Sequence, residues 1–271
     1  MKTFKLSYVI VLISSFALMI SCTDSTTDDA FTGDSGQDPL FSSIAASKFT
    51  GVYDTLEYTL LVNTISQKEY ESLTSKEVNK DSLRKVVCGE KEGGCMEAME
   101  LFAISKFKDK VIRNNNELIL QLSSGKSVKL INVPAEDDSY EVYQFLDMHE
   151  NGYYIVAGYY MESYNYLMIN PANGKITYSI GVPSRSPDNK KYIAVNYDMI
   201  AAFTFNGMEF FSIEKDNVIS EAKIDFITWG PEEFKWKDDS TVYIKQLSQM
   251  GEDPKEESNF AAMRIRKRTR I

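Results

Sequence analysis

The run from Tyr153 to Val195 constrains the fold more than any other part of the chain. Tyr153-Tyr154-Ile155-Val156 and Tyr164-Asn165-Tyr166-Leu167-Met168-Ile169 are dense in aromatic and branched residues, the composition of strands. Asn170-Pro171-Ala172-Asn173-Gly174-Lys175 reads as a turn, and Ile176-Thr177-Tyr178-Ser179-Ile180 as the strand that returns from it. Ser186-Pro187-Asp188-Asn189-Lys190-Lys191 forms a second turn, and Tyr192-Ile193-Ala194-Val195 a further strand. Strand, tight turn and strand in close succession leave room only for antiparallel meanders, so the chain is expected to be mainly β.

The flanking segments extend this pattern. Glu117-Leu118-Ile119-Leu120-Gln121-Leu122 and Ser127-Val128-Lys129-Leu130-Ile131-Asn132-Val133 enclose Ser123-Ser124-Gly125-Lys126, a hairpin with a glycine in its turn. Val52 to Val62 alternates as one strand, with Val52, Leu56, Tyr58 and Leu60 on one face and Thr55, Glu57 and Thr59 on the other. Helical signals are confined to a short insert near residues 66–100. Ser66 and Glu69 have capping-box spacing, Thr74 and Glu77 repeat it, and Asp81 caps a helix carrying Leu83 and Val86.

A loose repeat runs through residues 140–250. Ser186 to Ile193 aligns with Lys237-Asp238-Asp239-Ser240-Thr241-Val242-Tyr243-Ile244, pairing Tyr192 with Tyr243; Asp147 to Ile155 is a looser copy, pairing Tyr154 with Tyr192. In each, a polar turn precedes an aromatic and a branched residue. Ser186-Pro187-Asp188-Asn189-Lys190-Lys191-Tyr192-Ile193-Ala194 resembles the SPDGKKIAF signature of TolB-like β-propeller repeats, with Asn189 where that signature has glycine. Asparagine tolerates the positive φ such a turn needs. The resemblance implies a degenerate or small β-propeller-like body, a scaffold for binding and not a chemistry. The alternative architecture is a twisted β-sandwich.

The N-terminus reads as an export signal. Lys2 and Lys5 precede an apolar run from Leu6 to Ile20, too short for a stable membrane span, and the run stops at Ser21-Cys22. Leu18-Met19-Ile20-Ser21-Cys22 resembles the lipobox of bacterial lipoproteins, which implies a signal peptide over 1–21 and lipidation of Cys22. An anchored product belongs to the bacterial cell envelope, on the periplasmic or surface-exposed side of a membrane. Asp24, Asp28, Asp29, Asp34 and Asp38 among Ser, Thr and Gly make residues 22–47 an acidic tether expected to stay disordered, leaving 48–271 as a single β-rich domain. With Cys22 lipidated, Cys88 and Cys95 remain, and in an exported chain they are expected to pair. A loop this short is worth roughly 2.5 kcal/mol in the chain-entropy treatment.

Chemistry is far less legible. The chain has no Walker loop, GxGxxG, HExxH, GxSxG or EF-hand loop, and its one histidine, His149, excludes a multi-histidine metal cage. Ser82-Leu83-Arg84-Lys85 and Ser123-Ser124-Gly125-Lys126 fit SxxK but lack a Lys-Thr-Gly partner. No residue pattern implies a metal or cofactor. Asp137/Asp138, Glu232/Glu233 and Asp238/Asp239 are adjacent carboxylates, which read as turn or rim charges and not as acids facing each other across a cleft. A net charge of −9 makes nucleic acid an unsuitable partner.

Two surfaces remain as binding candidates. Tyr159, Tyr160 and Tyr164 surround Glu162, an arrangement suited either to stacking a sugar or peptide or to ordinary strand packing. Arg264, Arg266, Arg268 and Arg270 fall on one face of a C-terminal strand, with Met263 and Ile265 on the other. They read as an anion contact, or as a closing strand whose charges neutralise nearby acids and prevent edge pairing. The chain is therefore expected to be an envelope lipoprotein that binds or scaffolds a protein or glycan. The alternative is an exported hydrolase using Asp and Glu.

Overall fold

Alternation along the strands sets the architecture of the computed structural model, which describes residues 40–44, 51–55, 57–73, 80–88, 95–149, 152–215, 217–248 and 258–268. Cys22, Arg270 and the Thr74/Glu77 cap lie outside these residues. The fold is mainly β, with antiparallel sheets and a short helical insert.

The first strands are β1 (Leu40–Ile44), β2 (Gly51–Asp54) and β3 (Tyr58–Thr64). The single strand expected over Val52 to Val62 is instead a β2–β3 hairpin. Thr55 breaks it: its amide donates to the Tyr58 carbonyl at 2.8 Å, and its hydroxyl accepts from the Tyr58 amide at 2.9 Å. Thr55 and Glu57, expected on the outer face, are buried in this turn. Helices α1 (Gln67–Ser72), α2 (Lys80–Cys88) and α3 (Cys95–Ser105) follow. Ser66 caps α1 as its spacing predicts, accepting from the Glu69 amide at 3.1 Å. Asp81 is inside α2, one residue past its start, and not ahead of it. Cys88 and Cys95 are joined as a disulfide, with Cα atoms 5.2 Å apart, coupling the end of α2 to the start of α3.

The described strands form four sheets, numbered in chain order. β4 (Val111–Asn114), β5 (Glu117–Gln121) and β6 (Ser127–Ile131) make the first. β7 (Glu141–Met148), β8 (Tyr154–Tyr160), β9 (Tyr164–Ile169) and β10 (Ile176–Ser179) make the second. β11 (Ser184–Arg185), β12 (Lys191–Asn196), β13 (Gly207–Glu214) and β14 (Asn217–Phe226) make the third, and β1 joins its edge parallel to β14. Residues 40–44, read from sequence as part of the tether, are thus a strand of the body. The fourth sheet runs β15 (Trp229–Asp238), β16 (Thr241–Ser248), β17 (Ser258–Lys267), β3, β2, so the last strand of the chain pairs with one of the first.

Three cores lie between successive sheets. Leu118, Leu120 and Leu130 meet Phe145, Tyr154, Val156 and Leu167. Tyr153, Ile155 and Met168 meet Tyr192, Ala194 and Phe211. Ile193, Met208, Phe210 and Ile224 meet Trp229, Val242, Ile244, Met263 and Leu60. The second and third sheets are therefore covered on both faces, which explains why Tyr153 to Ala157 is apolar at every position instead of at alternate ones. The two-layer sandwich would have a single core between two sheets; the described residues form four sheets and three cores.

The repeat marks one recurring position, the turn between the first and second strand of a sheet. Residues 149–153 join β7 to β8, 186–190 join β11 to β12, and 239–240 join β15 to β16. Asn189 has φ of 63°, as its place in the turn requires. The first sheet has the same feature at Asn115, φ 51°, a copy that the sequence does not reveal because its turn is built from asparagines alone. The alignment of Tyr243 with Tyr192 is shifted by one residue. Tyr192 faces the preceding sheet, whereas in the fourth sheet that side holds Val242 and Ile244. Tyr243 turns to α1 and donates to Glu69 Oε1 at 2.6 Å. The β15–β16 turn has only two residues, so the shorter loop moves the side-chain phase by one.

Candidate functional site

Strand register divides the tyrosine cluster. Tyr159 and Tyr164 are directly opposite in the β8–β9 hairpin and point toward the third sheet. Tyr159 donates to Gln144 Oε1 at 3.1 Å, and Tyr164 to Asn196 Oδ1 of β12 at 2.7 Å. Tyr160 is on the opposite face, its hydroxyl 3.3 Å from Asn165 Oδ1. Glu162 stands exposed at the hairpin tip and is not the centre of a tyrosine ring. Burial raises the Tyr159 and Tyr160 pKa values and pushes Tyr166 up to about 12, so these phenols stay neutral at physiological pH.

Of the four, Tyr164 reaches a cleft, with a volume of about 200 Å³, between the β9–β10 hairpin and the 197–206 loop. Ser163, Asn165 and Tyr178 line it from the second sheet, Phe203, Thr204 and Phe205 from the loop, and Lys223 from β14. Sequence reading missed Tyr178, Phe203 and Lys223, which are far apart in the chain and belong to no local motif.

Asp198 holds the 197–206 loop in shape. Its carboxylate accepts from the Ala202 amide at 2.9 Å, the Thr204 amide at 2.6 Å and the Thr204 hydroxyl at 2.7 Å. Partial burial opposes its charge, but these hydrogen bonds outweigh that effect and its pKa falls below the usual carboxylate range. Asn196 Nδ2 clamps the far end, donating to Thr204 Oγ1 and the Phe205 carbonyl at 2.9 and 2.7 Å. The clamp leaves Phe203 62% and Ile200 69% exposed at the loop surface. Hydrophobic burial does not account for such exposed apolar side chains on an ordered loop.

Lys223 lies opposite Glu209 across the β13–β14 pair, Nζ to Oε1 3.6 Å. Glu209 is buried and also accepts from Ser220 Oγ at 2.6 Å and the Ile180 amide at 3.1 Å. Burial nevertheless raises its pKa, with Lys223 pulling the other way. A raised carboxyl pKa contributes stability in full below the unfolded value, and that contribution is lost as pH rises through the folded value. Lys223→Met removes the compensating charge, so its cost should appear above the folded pKa of Glu209 and fade toward pH 4.5. The expected loss at pH 8 is about 1–2 kcal/mol, between the values for exposed and buried pairs. Thermal melts of the variant and parent at pH 4.5 and pH 8 check this; an equal loss at both would show that Lys223 acts through packing alone.

The arginine stripe is on a different sheet. Arg264, Arg266 and Arg268 are exposed while Met263 and Ile265 are buried, the alternation expected from the sequence. β17 is not an edge, however: β16 and β3 flank it, so its charges do not guard against edge pairing. Among the described residues, neither Arg264 nor Arg266 forms an ion pair, while Arg268 donates to the Thr55 carbonyl at 2.9 Å.

The adjacent carboxylates serve local structure. Asp137 accepts from Ser139, and Asp238 from Ser240, each closing a turn. Glu232 pairs with Lys245 at 2.5 Å, and Glu233 accepts from the Tyr70 hydroxyl at 3.2 Å. His149 Nδ1 is 3.2 Å from the Tyr192 hydroxyl, and the two rings are stacked. Among the described residues, no group of three or more His, Cys, Asp or Glu side chains is placed to hold a metal. Comparison with protein-family models, curated proteins and solved structures finds no match.

Proposed function

We propose that the chain is a lipid-anchored protein of the bacterial envelope whose β body binds a protein or glycan at the rim formed by the 161–163 turn and the 197–206 loop. The observation that carries this reading is the clamped loop. Asp198 and Asn196 spend their hydrogen bonds on ordering a segment that exposes Ile200 and Phe203 to solvent. Rigid presentation of apolar side chains lowers the entropy cost of binding and gives no comparable return in folding. Met161 and Ile227 add further exposed apolar surface to the turn and connection beside it. The Cys88–Cys95 disulfide fits an oxidising compartment, and the leader ending at Cys22 supplies the anchor.

The body fits a degenerate, propeller-like succession, with the four sheets as blades. Successive face-to-face packing and a fourth sheet built from both chain ends support that reading.

Photo-crosslinking from position 200 of the full chain in native envelopes tests the rim. A single discrete partner should be captured, and Met161→Ser combined with Phe203→Ser should abolish capture. Undiminished capture by that double variant would remove the rim from the binding site.

A further inference from the structure

We infer that the part of the fourth sheet's outer face not covered by α1 rests on the anionic headgroups of the membrane, a refinement that depends on the anchor at Cys22. Alternation defines the face. Tyr58, Leu60 and Val62 of β3, with Met263 and Ile265 of β17, point into the core, so Thr59, Leu61, Arg264 and Arg266 point out. Helix α1 covers one end of it: Tyr70 packs on Phe260 with ring centroids 5.0 Å apart, and Tyr243 donates to Glu69. Beyond the helix come two rows in register, Val52–Leu61–Arg264 and Asp54–Thr59–Arg266.

Charge identifies the occupant. Arg264 and Arg266 are exposed and, among the described residues, form no ion pair. The carboxylates in their rows are two strands away, about 10 Å, and are held by other groups. Asp54 accepts from Thr59 Oγ1 at 2.5 Å, and Asp238 from the Ser240 amide at 2.8 Å. Two guanidinium forks on alternate residues of one strand, about 7 Å apart, each offer paired N–H donors to a headgroup phosphate. Val52, 62% exposed in the same rows, suits the apolar layer just below the headgroups. The chain carries −9, so an anionic bilayer repels most orientations of the body and attracts the one that presents this stripe.

The anchor makes a weak contact sufficient. The chain from Cys22 to Leu40 spans at most about 60 Å when extended, so docking of the body becomes an intramolecular event. An arginine at an anionic surface is worth about fivefold in partition. Two of them are too few to hold an unanchored body, and enough to orient an anchored one.

The test maps arginine reactivity. The full chain is incorporated through its lipid into vesicles of phosphatidylcholine alone or mixed with phosphatidylglycerol. Modification by phenylglyoxal is then read residue by residue by mass spectrometry, with exposed Arg84 as the internal reference. On anionic vesicles at about 20 mM NaCl, Arg264 and Arg266 should react about fivefold more slowly, relative to Arg84, than on neutral ones, and about 0.5 M NaCl should erase the difference. Equal rates on both vesicle types, in protein that floats with both at high salt, overturn the inference and leave the anchor standing. Protein that floats with neither lacks the anchor, and both readings fall. Protection in detergent by alginate or polyglutamate, without protection by anionic vesicles, assigns the stripe to a soluble polyanion and overturns the lipid assignment.

Discussion

Replacing Cys22 with serine should move the protein almost entirely from the membrane fraction to the soluble fraction and abolish incorporation of a labelled fatty acid. The expectation comes from Lys2 and Lys5, the apolar run from Leu6, and a cysteine at the point where that run stops. A thioether-linked diacylglycerol buries tens of methylene groups at about 0.8 kcal/mol each, so losing it leaves nothing of comparable strength. The arginines of β17 give the informative contrast. Surface charges contribute about 1 kcal/mol each near an anionic bilayer and are screened by salt. A variant that stays membrane-bound at low salt and is released at high salt would identify that stripe as a second contact. Fatty-acid labelling that persists in Cys22→Ser would refute the lipoprotein assignment outright.

The second large effect is expected inside the body. Glu100 of α3 and Arg113 of β4 form a buried ion pair at 2.5 Å, their side chains 9% and 13% exposed. Arg113 also donates to the Tyr143 carbonyl at 2.7 Å, and Glu100 accepts from the Phe145 amide at 2.7 Å, so the pair fastens the helix and first sheet to β7. Removing either partner leaves a buried charge without compensation. Glu100→Ala and Arg113→Met should each cost about 3–5 kcal/mol in urea unfolding. The double variant Glu100→Leu/Arg113→Met should cost less than the sum of the two, because no orphaned charge remains. Additive losses would show that the two side chains contribute separately, through packing, and not as a pair.

Neither residue stands out in the sequence. Glu100 lies on a largely apolar helix with no clear polar face, where nothing marks it as a buried partner, and nothing local links it to Arg113. What could be read was turn chemistry. Asn189, Gly125 and Gly174 all take positive φ at the positions the residue types implied. The β2–β3 break was hidden because Thr55 is a good strand residue whose hydroxyl here caps a turn, a role that depends on Tyr58 folding back. The 197–206 loop was illegible for a similar reason. Asp198 organises it through amides four and six residues ahead, and the cleft it borders is completed by Lys223 from another strand. Tyrosine density drew attention to the correct hairpin, but strand alternation sends Tyr159 and Tyr160 to opposite faces, and only Tyr164 reaches the cleft.

Under the lipid anchor proposed above, the parallel pairing of β1 with β14 has a mechanical meaning. Leu40 lies opposite Ala222 and Ile44 opposite Phe226, so among the described residues this ladder is the first pairing with the body. Tension drawn along the strand axis shears all its hydrogen bonds together, whereas tension across the axis unzips them singly from Leu40. Under that proposal, how firmly the body is held depends on the direction of drag. With β1 drawn away, β14 is left as an open edge whose amides and carbonyls are ready to pair with a strand from another molecule.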